Sequence, residues 1–240
     1  MNLTGKSETG RRQQNEDSFL TYVENGHVIA AVSDGMGGHA AGERASAIAV
    51  ETLQNILSAK PKIEELELRD AFIAVNEAVW KAASSDASLY GMGATLVCAI
   101  PYVDEFVAAN VGDSRLYLFH NGALRQISHD HSFVAELVRR KIISKEEAKT
   151  HPRRNLITRA IGTEEAIKVD LFRCEWEVRD ILLLCSDGVS GVLDDEEMAS
   201  ILSRHTALDS ACSELITRAY DAGSSDNMTV VLVQNTEDRA

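Results

Sequence analysis

Ile29-Ala30-Ala31-Val32-Ser33-Asp34-Gly35 has a counterpart later in the chain, Ile181-Leu182-Leu183-Leu184-Cys185-Ser186-Asp187-Gly188. Each is a short apolar run bounded by polar or turn residues, the signature of a buried strand. Each ends on a carboxylate followed by glycine, where the chain turns and exposes backbone. Two buried strands that each deliver an aspartate at their end can place both carboxylates in one cleft. Carboxylates brought that close call for cations.

The rest of the composition is compatible with a large buried core. The chain has 240 residues, 45% of them hydrophobic, and only three prolines. A single domain of this size buries roughly 70–75% of its unfolded surface and needs no disulfides. The net charge of −13 excludes nucleic acid or an anionic membrane as the main partner. Cys98, Cys174, Cys185 and Cys212 have neither CxxC nor zinc-ligand spacing, so no thiol chemistry is expected. The stretch 1–10 is polar and lacks a signal-peptide hydrophobic region. No apolar run approaches the ~20 residues that span a bilayer. The expectation is a cytoplasmic protein, monomeric and without a membrane partner.

Outward from the two phrases, strand and helix signals alternate. Ser18–Val23 and His27–Ser33 are predicted strands joined at Glu24-Asn25-Gly26, an Asn-Gly hairpin signal. Ala45, Ile48, Ala49, Thr52, Leu53 and Ile56 carry helical spacing, as do Leu68, Phe72, Val75, Val79 and Ala82 after Pro61. Strands are predicted at Ala94–Ile100, Glu105–Val111, Ser114–His120 and Ala123–Ile127. From His131 to Gly162 the sequence turns helical, charged and weakly apolar, matching either an inserted mobile element or a solvated helix pair. Strands return at Lys168–Arg173, Asp180–Ser186 and Met228–Gln234, with helices near Asp194–Ser203 and Leu208–Ala222. No Gly-, Ser- or Pro-rich linker divides the chain. One α+β domain of about ten strands is expected.

Acidic residues recur at strand ends. Glu16 and Asp17 precede a strand, Asp34 and Asp187 each follow one, Asp113 lies between two, and Asp226 precedes the last. Asp-Gly alone is a common turn; the combination is not. Hard divalent cations such as Mg²⁺ or Mn²⁺ take oxygen ligands and keep several waters. A carboxylate bridging two of them helps generate a nucleophilic water. Gly35-Met36-Gly37-Gly38-His39-Ala40-Ala41-Gly42-Glu43 is glycine-rich but carries neither a Walker lysine nor GxGxxG. Its glycines are read as permitting close backbone packing beside a metal centre.

The motifs together resemble the metal-dependent Ser/Thr protein phosphatases of type 2C, in their compact bacterial branch. Six segments occur in that family's order over essentially the full length. They are Arg12-Gln13-Gln14-Asn15-Glu16-Asp17, Val32-Ser33-Asp34-Gly35-Met36-Gly37-Gly38-His39, Gly91-Met92-Gly93-Ala94-Thr95, Asn110-Val111-Gly112-Asp113-Ser114-Arg115, Cys185-Ser186-Asp187-Gly188 and Ser225-Asp226-Asn227-Met228-Thr229-Val230. The resemblance implies a central sandwich of two antiparallel β-sheets with helices on both outer faces and a helical flap over residues 131–162. It implies two Mn²⁺ or Mg²⁺ ions and a possible third. Asp34 would bridge the core pair and Gly35 would offer its carbonyl. Asp187 and Asp226 would complete one site, Asp113 with Asp187 would hold the third ion, and Glu16 and Asp17 would act through water. Arg12 would grip the substrate phosphate.

The implied reaction is hydrolysis of phosphoserine or phosphothreonine in proteins by metal-activated water, without a covalent phospho-enzyme, opposing a bacterial Ser/Thr kinase. Met36 stands where many eukaryotic relatives carry histidine. His39 is the nearest candidate to protonate the leaving oxygen, with loop orientation as its alternative role and a metal-bound water as the alternative acid. Two other readings remain open at the level of sequence: a catalytically weak partner-switching module on the same fold, and a hydrolase of small phosphate esters.

Overall fold

The computed structural model describes residues 1–24, 26–37 and 40–236. Two antiparallel sheets stack face to face. One runs in the order β1 (Asn2–Glu8), β11 (Met228–Gln234), β10 (Ile181–Cys185), β7 (Arg115–His120), β8 (Ala123–Gln126). The other runs β2 (Asp17–Glu24), β3 (His27–Met36), β5 (Leu96–Pro101), β6 (Glu105–Val111), β9 (Asp170–Glu175), with the two-residue β4 (Gly93–Ala94) attached to the end of β3.

Both faces of each sheet are covered, which is why the strands read as continuous apolar runs rather than alternating ones. In β3, Ala30 and Val32 point into the space between the sheets, where they meet Val97, Leu116, Leu182, Leu184, Val231 and Val233. Ile29 and Ala31 point the other way, onto α1 (Ala40–Ser58) and α2 (Glu65–Ser85). In β10 the same division sends Leu182 and Leu184 inward, and Ile181, Leu183 and Cys185 outward against α6 (Asp195–Arg204) and α7 (Leu208–Asp221). The result is helix, sheet, sheet, helix, the sandwich that the resemblance implies.

Local chemistry sets the element ends. α2 opens on a capping box between Glu64 and Glu67, and Asp194 caps α6 through the Glu197 amide. Asn121 and Gly122, at φ 50° and 82°, make a two-residue hairpin closed by the pair His120–Ala123. Glu24 pairs with His27 across the first hairpin; Asn25 lies outside the described residues. On α1, Ala45, Ala49, Leu53 and Leu57 are fully buried while Ile48 and Ile56 sit at the margin.

Residues 131–162 hold two short helices, α3 (Phe133–Arg139) and α4 (Lys145–Lys149), capped by Ser132 and Ser144. Neither contains a buried residue. The segment is nevertheless stitched at its base, by bridges Ser132–Ile157 and Ala94–Ile161.

Two differences from the sequence reading stand out. Asn2–Glu8 is an edge strand where none was expected, because its hydrogen bonds come from β11 and its own residues show no apolar alternation. β9 spans Asp170–Glu175 rather than Lys168–Arg173, its start fixed by pairing Asp170 with Asn110. Among the described residues no helix is long and apolar enough to cross a membrane.

Candidate metal centre

Strand register brings the acidic strand ends together. Asp17 and Asp34 are direct partners across β2 and β3. In the other sheet, Cys185 lies opposite both Arg115 and Val230. Asp187, just beyond β10, Asp113, just before β7, and Asp226, just before β11, therefore share the same edge. Asp187 opens the one-turn helix α5 (Asp187–Ser190).

The carboxylates interact strongly. Burial pushes the Asp34 carboxyl well above its usual range, and Asp17, Asp187, Asp113 and Asp226 push it further. Asp187 is raised by burial and by Asp226, against a hydrogen bond with Asp34 that lowers it. Asp113 is raised to about 7 by burial, with Asp187 and Asp130 adding to it. Asp17 is also raised to about 7 by burial, opposed by hydrogen bonds from Thr229 and Ser186. Burial and mutual repulsion both disfavour the charged forms, and a divalent cation among these carboxylates would offset both.

Asp17 is the most elaborately held. Its Oδ2 accepts from Ser186 Oγ at 2.7 Å and from Thr229 Oγ1 at 2.6 Å. Behind Thr229 lies Ser7 Oγ at 2.7 Å, which in turn accepts from Asn15 Nδ2 at 2.8 Å. Asn15, Ser7 and Thr229 form a one-way relay of donors ending on the carboxylate, to which Ser186 donates separately. Asp17 Oδ1, by contrast, is buried with no partner, as are Asp113 Oδ1 and Asp187 Oδ1.

Such orphaned buried oxygens are expensive unless a cation takes them. They, together with an all-oxygen donor set, fit hard divalent ions. Among the described residues no three His, Cys, Asp or Glu side chains are drawn tightly enough to form a ready-made cage. Ions that retain several of their own waters do not require one.

Backbone packing makes the cleft possible. A Cβ on Gly35 would stand 2.0 Å from the Gly42 carbonyl oxygen, and one on Gly188 would stand 1.9 Å from that of Asn227. The Gly35 amide donates to the Glu16 carbonyl at 3.0 Å. Glu16 lies against Gly42, and its own amide donates to Asn227 Oδ1 at 2.8 Å. Asn227 Nδ2 reaches the carbonyls of Thr9 and Gln14, both at 2.9 Å, and so shapes the loop that carries Arg12. Arg12 sits at the rim, half exposed, with Nη2 on Asp226 Oδ2 at 2.7 Å and Nε on the Ser225 carbonyl at 3.0 Å.

Of the sequence-predicted site residues, Asp17, Asp34, Asp113, Asp187 and Asp226 converge, with Gly35, Glu16 and Arg12 around them. His39 lies outside the described residues. Met36 borders a cavity of about 610 Å³ closed on its other side by Ile157, Arg159, Ala160 and Ile167. Burial pushes the thiols of Cys185 and Cys212 up to about 12 and that of Cys98 higher still, leaving none of these three poised as a nucleophile.

Sequence reasoning missed Ser186, Thr229 and Asn227. The signal lay in the repeated phrase itself, where serine precedes aspartate both times. Ser33 donates to the Thr95 carbonyl at 2.7 Å, and Thr95 Oγ1 accepts from the Asp34 amide at 2.9 Å.

Comparison with known proteins agrees with this geometry. The family model described as protein phosphatase 2C matches residues 4–232. A serine/threonine phosphatase, Stp, of Listeria monocytogenes is 42% identical over 98% of this chain and 96% of its own length. Protein phosphatase PhpP of Streptococcus pneumoniae is 31% identical over the whole of both chains. Among solved structures, Stp1 of Staphylococcus aureus superposes with a TM-score of 0.92 at 36% identity, over 97% of this chain and 94% of that one. The catalytic domain of the phosphatase PstP, solved with two manganese ions, gives 0.88 at 33% identity over 98% of each. With its sandwich, its converging aspartates and a family match over nearly its whole length, this chain belongs to the protein phosphatase 2C family.

Proposed function

We propose that this serine/threonine phosphatase of the 2C type hydrolyses phosphoserine and phosphothreonine in proteins with the help of Mn²⁺ or Mg²⁺, two core ions and a weaker third. The observation that carries the reading is the set of three buried, unpartnered carboxylate oxygens on Asp17, Asp113 and Asp187 in one cleft. The two manganese ions in the PstP neighbour support it.

When bound, such ions supply Lewis acidity and lower the pKa of water toward neutrality. Asp34, which interacts with Asp17, Asp113, Asp187 and Asp226, would hold the core pair together with Asp187 and Asp226, and Asp113 with Asp187 would hold the third ion. Gly35 would add its carbonyl, and Glu16 and Asp17 would act through water. Arg12, at the rim, presents a planar fork that pairs bidentately with phosphate and neutralises charge building on the phosphoryl oxygens. His39 is assigned as the donor of the proton that the departing seryl or threonyl oxygen requires.

Residues 131–162 act as a flap within one catalytic domain, and their returning end lines the cavity beside Met36. The physiological role that follows is opposition to a Ser/Thr kinase. The four unpaired cysteines suit a reducing cytoplasm, and light scattering should find a monomer.

The test is phosphate release from a phosphothreonine peptide with Mn²⁺, abolished by chelation and by Asp34→Asn. Turnover that persists in excess chelator would sink the metal reading. Absence of turnover on every phosphopeptide would favour the partner-switching module.

A further inference from the structure

His131 is buried, with only 4% of its surface exposed, and it commits every polar group it has. Its amide donates to the Gly112 carbonyl at 3.0 Å, while its Nδ1 accepts from the Gly112 amide, also at 3.0 Å. Both polar groups of the residue immediately before Asp113 are thus taken by one histidine. On the other side, the His131 carbonyl accepts from the Thr158 amide at 2.8 Å, and Nε2 lies 3.2 Å from Asp170 Oδ2. Asp170 Oδ1 accepts from Arg159 Nη1 at 2.7 Å, and Arg159 also stands 2.9 Å from Nε2.

These contacts fix the ring. Nδ1 must carry the lone pair, since it faces an N–H. Neutral imidazole then has its one proton on Nε2, where Asp170 receives it. Burial, the largest influence on the ring, holds its pKa below the usual histidine range and keeps it neutral. Arg159 and Nε2–H are two donors side by side, reconciled by sharing one carboxylate.

We infer that His131 is a positioning residue that sets the Asp113 turn against the returning end of the flap, so that the carboxylate for the weakest ion and residues 157–159 keep one register. Gly112 needs such a hold. Its φ of +110° is open only to glycine, and a Cβ there would meet the Thr95 side chain at 2.6 Å. Its amide goes to the His131 ring, and Asn110 Nδ2 supplements the hold on its carbonyl at 3.2 Å. The inference rests on the reading of Asp113 as a metal ligand. Residues that orient ligands from behind typically govern affinity by about 10–100-fold.

Two substitutions separate the two halves of the grip. In His131→Asn the side-chain oxygen stands where Nδ1 stands and keeps an acceptor for Gly112. In His131→Gln the amide reaches the Nε2 position and Asp170, but leaves the Gly112 amide unpaired. Titration calorimetry with Mn²⁺ on the full chain should show the weakest binding step within about twofold of wild type for Asn and weakened about tenfold for Gln. Wild-type binding in the Gln variant, or equal loss in both, would overturn the inference.

Should either variant fail to fold, the wild-type ring decides by long-range proton–nitrogen correlation. A neutral ring protonated at Nε2 is required, and one protonated at Nδ1 overturns the inference. A wild-type chain that binds no Mn²⁺ at all defeats the metal reading instead, and the ring tautomer still judges the hydrogen bond.

Discussion

Ser186 Oγ donates to Asp17 Oδ2 at 2.7 Å, joining the end of β10 in one sheet to the start of β2 in the other. The same hydroxyl accepts from the Thr229 amide at 3.0 Å. One serine thus locks three strands around the carboxylate whose second oxygen is buried without a hydrogen-bond partner. Ser186→Ala and Thr229→Val should each weaken Mn²⁺ binding by roughly tenfold, the usual cost of losing a partner behind a ligand. Calorimetry reads this directly, and an unchanged affinity in both variants would show that Asp17 is held by packing alone.

Asp34→Asn should cut turnover to below about a hundredth, a loss typical of removing a group that stabilises charge in the transition state. Its effect on the metal-free fold should be opposite. Removing a buried charge that four neighbouring carboxylates repel relieves the unfolded-to-folded cost, so thermal unfolding in chelator should move upward. A melting temperature that drops along with activity would mean that Asp34 is chiefly structural.

Stability without metal should fall as pH rises. Asp17 and Asp113 titrate at 3.8 when unfolded and at about 7 when folded. Between those values the native state binds more protons than the unfolded chain, so each unit of pH costs stability until about pH 7, above which the loss is complete. In chelator the protein should melt at a higher temperature near pH 5 than near pH 8, by about 2–4 °C for each kcal/mol involved. Mn²⁺ should restore the difference at the higher pH. A flat profile would mean the aspartates are hydrated rather than buried.

Arg12→Ala should raise KM for phosphopeptides more than it lowers kcat, and Arg12→Lys should rescue little because a point charge lacks the fork. Steady-state kinetics separates the two parameters. A pure loss of kcat would place Arg12 in the transition state only.

Gly35→Ala and Gly188→Ala should be disruptive for a reason unrelated to charge. Each added methyl would stand about 2 Å from a backbone carbonyl, and backbone yields less than side chains do. Losses of about 1–3 kcal/mol or more, or insoluble protein, are expected; denaturant titration measures the former.

The two apolar runs ending in Ser-Asp-Gly were enough to place both central strands and the cleft at their ends. Their content is legible because burial on both faces forces apolar letters at every position. β1 was illegible for the converse reason. Asn2-Leu3-Thr4-Gly5-Lys6-Ser7-Glu8 lies at a sheet edge and takes its conformation from the register offered by β11. The carboxylates announced themselves because an acid beside a tight turn is a local pattern. Ser186, Thr229 and His131 did not, since a hydroxyl or imidazole acquires its role from a partner brought close only by folding, such as Asp17, 169 residues before Ser186.

The edge position of β1 has an architectural consequence. Asn2 is paired with Gln234, while Glu8 is paired with Met228 beside the acidic edge. The first and last strands therefore run side by side, with their outer ends about 20 Å, six strand steps, from the Glu8–Met228 pair. A short connector could join these ends and the backbone be reopened at the Asn121-Gly122 hairpin, giving a circular permutant with the same two sheets.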